Sequence, residues 1–97
     1  MAVTTIQITQ TGSAVQVSAS QIFAKWIVFQ NNGAAGMRVG DANVSSSRGM
    51  ALAASGAANS QLILAPLADT SAHYDLSQFY TQGTNTQILD VVYDRMN

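Results

Sequence analysis

The sequence predicts an all-β fold: one domain of about eight short strands, arranged as a sandwich or a small barrel. Three observations predict it. Apolar and polar residues alternate over short stretches, as in Ile6-Gln7-Ile8, Val15-Gln16-Val17 and Met37-Arg38-Val39, which is the period of a half-buried strand. Turn residues separate these stretches at regular spacing: Gly12, Asn32-Gly33, Gly40, Gly56, Asn59 and Gly83. The chain has 97 residues with no internal repeat and no linker, so residues 1–97 read as a single domain.

The elements follow in order. Ile6 and Ile8 mark a first strand, Val15 and Val17 a second, and Thr11-Gly12-Ser13 between them predicts a hairpin. The segment 1–10 is terminal, alternating and rich in Thr, Ile and Gln. Two placements suit it: the first strand of its own sheet, or an exchanged strand docked on a neighbour. Ile22 to Gln30 carries Ile22, Ala24, Trp26 and Val28 on one face and Phe23, Lys25, Ile27 and Phe29 on the other. With both faces mostly apolar, this strand should be central or covered on two sides. Asn31-Asn32-Gly33 ends it and predicts a second hairpin, with Met37-Arg38-Val39 returning. A polar loop runs from Gly40 to Gly49, with a short strand conceivable at Val44. Met50 and Leu52 restart the alternation; Ala-rich Met50 to Ala58 has helix propensity, which Ser55 and Gly56 oppose. Gln61 to Ala65 reads as a strand that Pro66 confines to an edge or a terminus. Asp75 is placed to cap a single helical turn carrying Leu76, Phe79 and Tyr80, ended by Gly83. Thr86 to Tyr93 is the last strand.

Composition narrows the functions. There is no cysteine, one histidine (His73) and no glutamate; the acids are Asp41, Asp69, Asp75, Asp90 and Asp94. Disulfides, thiolate metal sites and a cysteine nucleophile are therefore excluded. A domain this small usually needs a further stabiliser, and oligomerisation is the one that remains. Charged residues make up 9% of the chain, against roughly 25% in an ordinary soluble domain. Uncharged polar surface costs less to desolvate than charged surface, and interface cores are depleted in Lys, Glu and Asp. The composition thus suits a surface covered by something, although a monomer with a Ser, Thr and Gln surface would share it. The net charge is −1, and the only bases, Lys25, Arg38, Arg48 and Arg95, are scattered; no nucleic-acid partner is expected. The first ten residues have no basic start and no continuous apolar run, so synthesis in the cytosol and no membrane association are expected.

No constellation carries catalysis, and no catalytic, cofactor-binding or metal-binding residue is assigned. A Ser-His-Asp site would have to use His73, yet no serine lies in a nucleophile-elbow pattern; His73 reads as a surface or interface residue. Asp90 and Asp94 are close in sequence, and Asp90 shares a strand face with Ile88 and Val92. An edge charge or an arginine pair fits Asp90 better than paired-carboxylate chemistry. Gly33, Gly36 and Gly40 lack the Lys-Ser or Lys-Thr of a phosphate loop, so they are expected to supply positive φ in a hairpin. The aspartates do not have EF-hand spacing, and Asn43-Val44-Ser45 is a glycosylation sequon only by chance unless the chain is secreted. Trp26 is expected in the core rather than on a ligand-stacking surface, and Tyr74, Phe79, Tyr80 and Tyr93 are expected to cluster in the core or an interface.

One ordered set of residues carries a resemblance. Trp26-Ile27-Val28-Phe29-Gln30-Asn31 is followed by Arg38-Val39-Gly40-Asp41, Val44-Ser45, Arg48-Gly49-Met50 and Leu52; then come Tyr74-Asp75-Leu76, Phe79-Tyr80, Gly83 and Val91-Val92-Tyr93. This order, spanning Trp26 to Tyr93, resembles small virion structural proteins of tailed bacteriophages. The Ala-rich stretches at Ala34-Ala35 and Ala51 to Ala58 depart from the pattern. The resemblance implies a jelly-roll-like β-sandwich and a non-enzymatic role on the particle. Foremost among such roles is capsid decoration (cement) at the capsid surface, where a homotrimer binds the major capsid protein and stabilises the head. A tail, fibre or adaptor component with a host-surface carbohydrate-binding role is the alternative. That alternative expects Trp26 or Tyr74 exposed beside Asp and Asn side chains.

Overall fold

A computed structural model describes residues 2–69 and 72–96. Among these residues nine strands form two antiparallel sheets. They are β1 (Ala2–Thr9), β2 (Val15–Gln16), β3 (Phe23–Asn31), β4 (Met37–Gly40), β5 (Met50–Leu52), β6 (Gln61–Leu64), β7 (Tyr74–Asp75), β8 (Tyr80–Gln82) and β9 (Ile88–Arg95). One sheet has the order β1-β9-β3-β6, with β7 paired to β3; the other has the order β2-β8-β4-β5. The pairings are nested: β1 with β9, β2 with β8, β3 with β6, and β4 with β5. That is a long two-stranded ribbon folded back on itself. It wraps once, so that β9 meets β3 and β8 meets β4. This is the strand order of a jelly-roll sandwich, and the chain is a β-sandwich rather than a closed barrel.

Two expected hairpins are absent for this reason. Val15–Gln16 pairs with β8 and not with β1, because the chain crosses between the sheets after Thr9. Gln10 makes the corner. Its backbone bonds to Gln87 and Thr86 at the start of β9, while its fully buried amide reaches the Thr81 hydroxyl of the other sheet at 3.0 Å. Met37–Gly40 likewise does not return beside β3; it lies in the opposite sheet. Asn31 turns that corner. Buried at the end of β3, it donates to the carbonyls of Ala35 (2.8 Å) and Ala53 (3.0 Å) and accepts from the Gly33 N–H at 2.7 Å. Gly33, Gly36 and Gly40 do not supply positive φ; Gly12, Gly49 and Gly56 do, as does Asn59. Gly33 is needed for closeness instead, since a Cβ there would collide with the Gln87 side chain.

The first segment lies on its own sheet, with β1 paired along its whole length to β9. The strand ending near Pro66 is the opposite edge, β6. Met50–Leu52 is strand and the residues after it turn, without helix. Between Ser45 and Arg48 the polar loop makes a single bridge. Asp75 caps a 3-10 turn at Leu76–Gln78, while Tyr80 begins the next strand. Burial raises the Asp75 pKa. Hydrogen bonds from the Ser77 hydroxyl and N–H, Gln21 and Ile22 outweigh it and hold the carboxyl below its ordinary value.

The core lies between the sheets. Ile27, Phe29, Leu89, Val91 and Tyr93 face Met37, Val39 and Leu52, with Val17, Ala24 and Leu76 at the margins. Phe79 sits between the rings of Phe29 and Tyr74, at centroid distances of 5.7 and 6.5 Å. Of the four aromatics expected to cluster, the rings of Tyr74 and Phe79 meet, and Phe29 joins them in place of the others; Tyr93 is in the core and Tyr80 half-buried. Trp26 is not in the core. On β3, Ala24 and Ile27 both point inward, three residues apart, against Arg95 and Tyr93 two residues apart on β9. One extra residue is thus bulged out. Beyond the bulge the parity of the strand changes, and Trp26 falls on the same side as Val28 and Gln30, away from the core.

Candidate functional site: the outer face of the five-stranded sheet

The face of the five-stranded sheet turned away from the core follows from the register. Alternation sends Leu89, Val91 and Tyr93 inward, so Asp90, Val92 and Asp94 point outward. Three cross-strand rows result. The first is polar: Gln7, Asp90, Gln30 and Gln61 stand side by side on β1, β9, β3 and β6. The second is mostly apolar, three aliphatic side chains beside a threonine: Thr5, Val92, Val28 and Ile63. The third begins with Val3 opposite Asp94, and Trp26 follows on β3 where the bulge sets in. Val3 and Ile63 are 67% and 63% exposed, whereas Trp26, Val28 and Val92 are half-buried by their own neighbours. A lone exposed aliphatic residue needs no explanation. A contiguous row across four strands, continued by a tryptophan, is the composition of an interface core.

Carboxylates on this face are few. Asp90 is on β9, inside the sheet, so it is not an edge charge. Its partner is no arginine: Oδ2 accepts from the Asn32 side-chain amide, while among the described residues no donor reaches the buried Oδ1. Asp94 lies four residues further along β9 on the same face. The two point the same way but occupy different rows, separated by Val92.

The remaining candidates are elsewhere. His73 is exposed and its ring tilts against Phe23 at 4.2 Å. Tyr74 is half-buried, and its hydroxyl donates to the Ala65 carbonyl at 2.7 Å. Asn43 is exposed and Val44 buried in the loop after β4. Among the described residues no three His, Cys, Asp or Glu side chains gather closely enough to hold a metal ion. A shallow polar groove of about 500 Å³ lies at the other sheet, lined by Gln16, Gln21, Asp41, Asn43, Gln78 and Tyr80. Sequence reasoning did not single out Tyr80 for such a place. Its neighbours come from three separate stretches of chain, and only the fold brings them together. No protein-family model, curated protein or solved structure matches this chain, so the arrangement of its own residues carries the functional reading.

Proposed function

We propose that this chain is a non-enzymatic structural protein of a phage virion: a capsid decoration protein that binds the major capsid protein as a homo-oligomer and stabilises the head. The observation that carries the reading is the uncovered, mostly apolar row Thr5, Val92, Val28 and Ile63, continued by Trp26, on a surface almost free of charge. The order of residues from Trp26 to Tyr93, which resembles small phage virion proteins, supplies the identity of the partner. The mechanism is additive burial. A protein that binds only the assembled shell shifts the equilibrium toward it by mass action, by about 2.7 kcal/mol per site at a hundredfold excess over Kd. Repetition by symmetry multiplies a modest contact into resistance to internal pressure.

The test is co-sedimentation of the purified chain with undecorated capsids of the phage that encodes it. Binding should raise the capsid melting temperature, and Val28→Ser with Ile63→Ser should abolish both effects while the free domain stays folded. No binding by the unsubstituted chain would refute the reading.

The polar groove around Tyr80 favours one alternative, a tail or fibre module that binds host-surface carbohydrate. Amide and carboxylate side chains beside a phenol ring suit the hydroxyls and apolar face of a sugar. Titration with bacterial surface glycans, with Tyr80→Ala and Asp41→Ala as controls, tests it; on this reading the outer-face substitutions leave glycan binding intact.

A further inference from the structure

The two sheets have four outer edges, and they are not alike. β2 has two residues and β5 three. β6 has four, and Pro66 follows close behind it. β1 has eight, Ala2–Thr9, with no proline, no charge and no bulge. Long edges are usually guarded by lysine, proline, a bulge or a covering loop, because their free N–H and C=O groups template another strand. Among the described residues, no strand or loop pairs with the outer side of β1.

Alternation identifies the groups that edge presents. The backbone of Gln10 bonds toward the start of β9 through both its N–H and its C=O. In an antiparallel ladder every second residue does so, which assigns Ile8, Ile6, Thr4 and Ala2 to the β9 side. The N–H and C=O groups of Val3, Thr5, Gln7 and Thr9 are therefore at the open edge.

We infer that β1 pairs antiparallel with β1 of a second copy of this chain, about a two-fold axis at Ile6. A two-fold axis perpendicular to the sheet keeps each face on its own side. Only registers that join residues of the same parity are then allowed. The Ile6-centred register uses the open edge most fully: Val3 bonds with Thr9 of the second copy, Thr5 with Gln7, and the reverse, giving about eight backbone hydrogen bonds. Registers shifted by one pair in either direction lose two of them. The side chains agree with this choice. On the core side Ile6 meets Ile6 and Thr4 meets Ile8; on the outer side Thr5 meets Gln7 and Val3 meets Thr9. No charge opposes another, since β1 carries none. The joined sheets would run continuously through both copies, with the Thr5-Val92-Val28-Ile63 row of each copy meeting the Gln7-Asp90-Gln30-Gln61 row of the other where Thr5 faces Gln7. This association needs no capsid, and it is two-fold where the phage resemblance implies three-fold.

The test is sedimentation equilibrium of the purified chain over a wide concentration range, with amide hydrogen exchange at both ends of it. A monomer–dimer equilibrium is expected, with the amides of Val3, Thr5, Gln7 and Thr9 protected at high concentration and fast at low concentration. Thr5→Pro removes an outward donor in each copy without touching the β9 ladder, and should weaken dimerisation by roughly tenfold or more. Ile63→Ser, on the far edge, should leave dimerisation unchanged; its loss there would show face-to-face stacking instead. Circular dichroism checks that each variant is folded. If Thr5→Pro fails to fold, the exchange pattern of the unsubstituted chain decides. A strict monomer, a trimer, or a dimer in which those four amides stay fast would overturn the inference. Capsid binding by a monomeric chain would also overturn it, leaving of the decoration reading the capsid binding but not the homo-oligomer.

Discussion

Replacing Asn31 with alanine tests how the chain is made to change sheets. Asn31 is fully buried, and its amide makes three contacts: donations to Ala35 and Ala53, and acceptance from Gly33. These tie the end of β3 to the residues before β4 and to those after β5, so one side chain holds both crossings at that end of the sandwich. A hydrogen bond contributes about 1 kcal/mol net, and a buried group left without a partner costs about 1–3 kcal/mol. Three contacts therefore put the loss at roughly 3 kcal/mol, out of the 5–15 kcal/mol of a typical domain. For a domain of this size that corresponds to a fall in Tm of about 12–24 °C. Urea unfolding is the cleaner assay, since the midpoint should fall with the slope unchanged. Asn31→Asp should do no better than Asn31→Ala: it keeps the acceptor for Gly33 but turns a carboxylate toward two carbonyls. Asn85→Ala, at an exposed position, should stay within about 0.5 kcal/mol. If Asn31→Ala costs less than about 1 kcal/mol, the corner is held by the backbone and the argument for Asn31 fails.

Other outcomes follow from the same structure. The Asp75 carboxyl is held below its ordinary value of 3.8 by its hydrogen bonds, so its contribution is present above the unfolded value and is lost as pH falls through the lower, folded one. Acid titrations of stability should show a shallower decline for Asp75→Asn than for the unsubstituted chain in that window. Gly49→Ala should destabilise by about 1–3 kcal/mol, because φ is +122° and the new Cβ would stand 2.8 Å from Val44 Cγ2 and 3.0 Å from the Val39 carbonyl; thermal melting reads this directly. Stopped-flow refolding should be in the millisecond-to-second range of non-local β topologies, since β1 and β9, at opposite ends of the chain, must meet before the sheet is complete.

What the sequence disclosed and what it concealed divide by range. Period-2 alternation marked β1, β2 and β4, because side-chain polarity along a strand is a local record of burial. Asp75 as a cap, Gly56 and Asn59 as turn residues and Pro66 beside an edge were legible for the same reason: each depends on one residue's own backbone. Pairing is not local in this topology. Of the nested ladders only β4 with β5 joins neighbouring strands, so reading Gly12 and Asn32-Gly33 as hairpin turns failed although turns are present at both places. The chain uses those segments to change sheets, held by the buried Gln10 and Asn31, which stand among other polar residues in the sequence and carry no local mark of their burial. Trp26 was misplaced by a single bulged residue. Alternation gives the two faces of a strand but not which is inside, and between Ala24 and Ile27 it does not hold.

The same limit explains why the candidate face was half visible. The sequence of β3 showed two apolar faces, and a strand of that kind needs a layer on each side. A sandwich has two sheets and one interior, so each sheet has one covered face. Ile27 and Phe29 use it. Trp26 and Val28 are then left on a face that no part of the described chain covers, and register adds Val92 and Ile63 beside them. Apolar residues on both sides of a central strand, in a domain with only two layers, are what the proposed docking of a partner on this face would cover. That argument is independent of any family likeness. On the proposed reading it places the partner across β1, β9, β3 and β6, centred on Val28.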